Sequence, residues 1–186
     1  MKIALYKGHS AISKLIRWQT RLPYSHAAFL LNDGTVIEAW QPCVRHVADL
    51  SVQHHPGTVV DVFRFAEPFT EAQEEQFFML LCRDLGVPYD YRSILRFCTR
   101  KQGDGTRKKL FCSEQVFDRC GKMGRRLLEH VEAWQVAPGH IAWSPLLRFD
   151  YTVTTGELAK AGTPNGELGV HPLGCVSQPA KAGTPN

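Results

Sequence analysis

The chain lacks a long apolar run: Lys7, His9 and Ser10 interrupt the start, and no stretch approaches the roughly 20 apolar residues needed to span a bilayer. Neither an export signal nor a membrane span is therefore expected, and the protein reads as cytoplasmic as synthesised. No Cys-x-x-Cys pair occurs among the six cysteines, which excludes the zinc sites built on such pairs. Without an export signal, those cysteines are expected to be free thiols. No nucleic-acid-binding motif is present, so nucleic acid is excluded as a partner. The formal charge is only +4, and the two Glu and two Lys after Gly156 cancel, so the excess lies in the first 155 residues.

What is present suits one globular domain. At 186 residues, 44% hydrophobic, the chain can bury a core and shape a cleft. Lys2 to Tyr6 reads as a short strand, followed by an amphipathic helix with Ser10 as N-cap that Pro23 ends. His26 to Leu31 and Thr35 to Trp40 read as two strands around Asn32-Asp33-Gly34, and Thr58 to Phe65 as another. Thr70-Glu71-Ala72-Gln73 has capping-box spacing for a helix through Phe77 and Leu81, which Gly86 and Pro88 close. A helix begins near Cys112 and runs to Gly121, and Leu127 to Tyr151 mixes strand, turn and short helix. From Gly156 the heptapeptide Ala-Lys-Ala-Gly-Thr-Pro-Asn occurs twice in a Gly/Pro/Thr-rich stretch. The expected organisation is a domain over 1–155 and a flexible tail over 156–186.

Phe111-Cys112-Ser113-Glu114 and Tyr24-Ser25-His26-Ala27 carry the chemistry. A cysteine entering a helix meets unpaired backbone N–H groups that favour a thiolate, and an imidazole can take its proton. If Asn32 to Gly34 form a three-residue loop with Gly34 left-handed, Leu31 faces Thr35, Ala28 faces Glu38, and His26 shares the face of Glu38. Glu38 would then fix the tautomer of His26 and stabilise its charged form, while small Ala28 admits the Cys112 helix. The N–H groups opening that helix suit an oxyanion, at roughly 3 to 4 kcal/mol per donor. Singly, Cys112 reads as a small hydrophobe, His26 as structural and Glu38 as a strand-edge charge. The joint pattern is what points to catalysis.

On Pro23-Tyr24-Ser25-His26-Ala27-Ala28, Gly34-Thr35-Val36-Ile37-Glu38-Ala39, Gly86-Val87-Pro88-Tyr89-Asp90 and Leu110-Phe111-Cys112-Ser113-Glu114, the chain resembles the circularly permuted branch of the NlpC/p60 superfamily of papain-like thiol hydrolases. The resemblance covers Met1 to about Tyr151. It implies an α+β, circularly permuted papain-like fold, with an antiparallel sheet packed against the helix bearing the nucleophilic cysteine. It implies hydrolysis of a peptide or amide bond, often in cell-wall peptides such as peptidoglycan stems, with Cys112 as nucleophile, His26 as base and then acid, and Glu38 as orienting residue. Tyr24, Tyr89 and Arg45, in or beside those motifs, would bind substrate, and the thiol chemistry calls for no metal or cofactor. Pro42-Cys43 departs from the pattern, where relatives commonly have a glycine before Val-Arg. The short segment with Trp18 before Tyr-Ser-His resembles bacteriophage and prophage forms.

Between Asp90 and Lys109, seven basic residues stand against two acidic ones. They read either as a solvated loop or as charges that lower the thiol pKa, attract an anionic substrate, or touch a membrane surface. Two other readings stay open beside the hydrolase. One is a lipid acyltransferase or phospholipase on the same permuted scaffold; the other is a catalytically silent binding or structural module.

Overall fold

A computed structural model describes residues 1–90 and 110–156 of the chain. The protein is α+β, built on six antiparallel strands: β1 (Lys2–Lys7), β2 (His26–Leu30), β3 (Val36–Ala39), β4 (Val44–Val47), β5 (Val59–Phe65) and β6 (Leu147–Thr154), in the order β4-β3-β2-β1-β5-β6. Among the described residues three helices accompany them, α1 (Ala11–Thr20), α2 (Glu71–Cys82) and α3 (Cys112–Lys122), with two 3-10 turns at Ala133–Gln135 and Pro138–Trp143. The expected tail and basic stretch, apart from Asp90 and Gly156, lie outside the described residues, as do Cys98 and Cys175.

Local signals place the helices. The Ser10 hydroxyl accepts the Ser13 N–H at 3.1 Å and starts α1, which ends on Arg21 in the left-handed region, two residues before Pro23. Thr70 and Gln73 form the reciprocal capping box of α2, each side chain bonding the other's backbone N–H. Phe77 and Leu81, one turn apart, point from α2 into the core, each burial contributing about 1.5–3 kcal/mol. Strand β4 has no counterpart in the sequence reading, because Val44-Arg45-His46-Val47 is too short and mixed to show alternation. It forms by pairing with β3, and its start is held by the Gly86–Tyr89 segment through Val44 N–H to Val87 O and Tyr89 N–H to Pro42 O, both 2.9 Å.

Both sheet faces are covered. Ile3, Leu5, Ala27, Phe29, Ile37, Ala39 and Phe63 join α2 and α3 in the larger core, whereas Ala4, Tyr6, Ala28, Leu30, Val36 and Val62 face the 48–58 loop through Leu50. This alternation corrects one expectation: Ala27, not Ala28, meets the Cys112 helix, because neighbours on a strand point to opposite faces. A second correction concerns the thiols. Cys43 is disulfide-bonded, while Cys82, Cys112 and Cys120 are free.

The β2–β3 loop has the expected three residues. Leu31 N–H donates to Thr35 O at 2.8 Å, Gly34 N–H donates to Leu31 O at 3.1 Å, and Gly34 has φ +87°. The pairs Phe29–Ile37 and Leu30–Val36 continue that register along the strands. Gly34→Val should cost roughly 1–2 kcal/mol or more, because a side chain in the left-handed region meets its own backbone and β-branching adds to the clash. Chemical denaturation checks it, and a neutral result would remove the loop as the device that sets the register.

Candidate active site

The chain turns sharply before His26. Ser25 N–H bonds Tyr6 O at 2.8 Å and its hydroxyl receives the Gly8 N–H at 3.1 Å, which fixes where β2 begins. His26 is its first residue and lies on the Tyr6 side of the sheet, as does Glu38 by the hairpin register. Their side chains meet: His26 Nε2 lies 2.6 Å from Glu38 Oε2.

Glu38 is fully buried, and its two oxygens are divided between partners. Oε1 accepts Arg45 Nε at 2.9 Å and Nη2 at 2.5 Å. Oε2 faces His26 and also the Nε2 of His54, at 3.3 Å. Burial opposes the charge on this carboxylate, but the hydrogen bonds from the two imidazoles outweigh it and hold the pKa well below the usual carboxylate range. For His26 the balance falls the other way: burial lowers its pKa, against the opposing pull of Glu38. The resting pair is therefore a carboxylate and a neutral imidazole.

The thiol approaches from the other face. Cys112 is the first residue of α3, which lies against β2 and β3, and its N-cap Phe111 makes no side-chain capping bond. The first-turn N–H groups are thus left for the sulfur: those of Cys112 and Ser113, with that of Ala27 from β2, favour the thiolate. Burial nevertheless dominates, at 1% exposure, and with the Glu38 charge pushes the thiol up to about 12. A helix N-terminus lowers a thiol pKa only while the sulfur keeps some solvation, and here it keeps almost none.

A cavity of about 210 Å³ opens beside the pair, lined among others by Ser10, Ile12, His26, Trp40, His54 and Tyr89. It reaches the imidazole and not the sulfur. Among the residues expected to bind substrate, Tyr89 lines this cavity. Tyr24 does not, since its hydroxyl donates to Asp61 at 2.6 Å. Arg45 is turned inward: beyond Glu38 its guanidinium bonds Val52 O at 3.2 Å and the Gln53 side chain, so it holds the carboxylate in place.

His54 is the residue that sequence reasoning missed. It sits in a loop with no periodicity, and left-handed Gln53 (φ 60°) directs it over the sheet, where its ring stacks on Tyr6 at 4.2 Å. Trp40 abuts both imidazoles edge-on, at 4.9 Å from His26 and 4.6 Å from His54. The Gly86-Val87-Pro88-Tyr89-Asp90 motif also finds a place here: Leu110 N–H bonds Pro88 O and Asp90 N–H bonds Leu110 O, which ties the motif to the entrance of α3.

No family model and no curated protein compared with the chain matches it. Among solved structures, the chain is similar to the metalloprotein YiiX of Escherichia coli O157:H7 (DUF1105). The two share 20% identity and superpose with a TM-score of 0.63, over 82% of this chain and 96% of that one. At that identity the likeness concerns the fold. No helix among the described residues is long and apolar enough to cross a membrane.

Proposed function

We propose that the protein is a cysteine hydrolase that cleaves a peptide or amide bond through a thioester on Cys112, on a circularly permuted papain-like scaffold. The carrying observation is the buried His26–Glu38 pair with Cys112 at the Ala27 N–H. Because Glu38 holds Nε2, Nδ1 is the ring nitrogen left to exchange a proton with the thiol. Nδ1 takes the thiol proton as the sulfur attacks the carbonyl carbon, and the oxyanion forms against the uncapped N–H groups of α3. His26 then protonates the leaving amine, leaving an acyl thioester. Water, deprotonated by the same ring, attacks the thioester, releases the carboxylic acid and restores the thiol.

A neutral resting pair suits this sequence of steps. The proton moves only when an electrophile is in place, so His26 acts as a general base and no standing thiolate is required. Acetyl transfer from p-nitrophenyl acetate tests the reading: peptide mapping by mass spectrometry should find the acetyl group on Cys112, decaying as water discharges it. Acylation confined to lysines or to Cys82 would sink the proposal.

One observation favours a lipid acyl substrate as a second reading. Ile12, Leu15 and Trp18 of α1 are 44%, 40% and 76% exposed, and Ile12 also lines the cavity beside His26. Discharge of the Cys112 thioester to a lipid hydroxyl or amine in vesicles, faster than to water, would select the acyltransferase.

A further inference from the structure

The two imidazoles that converge on Glu38 are one more than acyl transfer uses. Three ligand atoms, one each from His26, His54 and Glu38, lie within 4.8 Å of one another, and the Nε2 atoms of both rings face Glu38 Oε2, at 2.6 and 3.3 Å. We propose that these three atoms form a binding site for a divalent transition-metal ion of the zinc class.

The donor set fits that chemistry. Two imidazoles and a carboxylate suit zinc and its neighbours, whereas calcium and magnesium prefer all-oxygen shells and copper(I) prefers thiolates. Both rings present Nε2 to one carboxylate oxygen, and a ring whose proton sits on Nδ1 offers the Nε2 lone pair to a metal. The rings are also held from outside by Trp40 and Tyr6. Arg45 on Oε1 works against a cation, so binding is expected to be weaker than at a closed structural zinc site.

Tyr6 provides an independent observation. Its hydroxyl is buried and has no hydrogen-bond partner among the described residues, although its ring lies against both imidazoles and the Glu38 charge acts on it. An orphaned buried hydroxyl is costly. Its place beside the cluster marks a polar group left for a ligand or a ligand-bound water.

Occupation would have a consequence, which rests on the hydrolase reading. A metal on Nε2 fixes the remaining ring proton of His26 on Nδ1, so the ring cannot accept a proton from the thiol. Metal binding and thioester formation exclude each other, and free metal then sets the active fraction.

The test uses the full chain, stripped with chelator and desalted, with Cys112→Ser so that this thiol cannot ligate. Titration with Co²⁺ by absorbance and with Zn²⁺ by calorimetry should give one ion per chain and no thiolate-to-cobalt charge-transfer band. His54→Ala and Glu38→Gln should each weaken binding at least tenfold. Should either variant fail to fold by circular dichroism, anomalous diffraction from zinc-soaked crystals of the unaltered chain decides, with the peak expected between His26, Glu38 and His54. No binding, a thiolate band, or a peak elsewhere overturns the site. Acetylation of Cys112 with and without Zn²⁺ separates the two proposals. Binding without any acetylation leaves the metal site standing and removes the hydrolase; acetylation without binding does the reverse.

Discussion

Cys112→Ser is expected to lower turnover of the activated ester by about 10⁴-fold or more, with the fold unchanged, and His26→Ala by a similar factor. Serine fills nearly the same volume and still receives the Ala27 N–H, so packing around α3 is preserved. What is lost is nucleophilicity. The sulfur needs a base only at the moment of attack, whereas a hydroxyl is a weaker nucleophile with a far higher pKa, placed in a geometry that suits the larger sulfur. Steady-state kinetics on both variants, with thermal melts to confirm folding, checks the expectation. A loss below tenfold in either would mean that the residue stands beside the chemistry and not in it.

Glu38→Gln is expected to destabilise the protein by about 3–5 kcal/mol, because it leaves the inward-turned Arg45 guanidinium without its counter-ion. The acid limb of stability should change with it. Glu38 has a depressed folded pKa, so its contribution is complete above the unfolded value near 4.3 and is lost as pH falls below that. His26, also lowered by burial, stabilises above about 6.5 and loses that contribution as it is forced to charge. Both groups therefore make acid destabilising. The variant should lose the part below about pH 4.3 and keep the part set by His26, moved to lower pH because the Glu38 hydrogen bond no longer supports the imidazolium. Denaturant titrations across pH measure both, and a cost under about 1 kcal/mol would show that Arg45 finds other compensation.

The sequence carries some of this site plainly. Asn32-Asp33-Gly34 with a left-handed third residue sets a register, and a period of two then puts His26 and Glu38 on one face; both steps are local. Capping at Ser10 and Thr70 is local too, and the helix entry at Cys112 is written in its neighbours. Three features are not local. Ala27 rather than Ala28 meets α3 because of which sheet face the helix covers, a tertiary choice. His54 arrives from an irregular loop, where neither periodicity nor a motif marks it. The protonation states followed from burial, which outweighs the helix N-terminus at Cys112 and the carboxylate at His26, and the depth of burial cannot be read from spacing. The Cys43 disulfide is a further case, since compartment arguments from the first residues say nothing about which cysteines come together.

The pH dependence of Cys112 alkylation by iodoacetamide, followed by mass spectrometry of its peptide, bears most directly on His26 acting as base to Cys112. With His26 as base, the rate should rise through the titration of a ring whose pKa is below 6.5 and then stay flat between about pH 7 and 9, and His26→Ala should abolish the plateau. A rate that instead climbs about tenfold per pH unit through that range, toward a thiol pKa of about 12, and that is the same in His26→Ala, would contradict it.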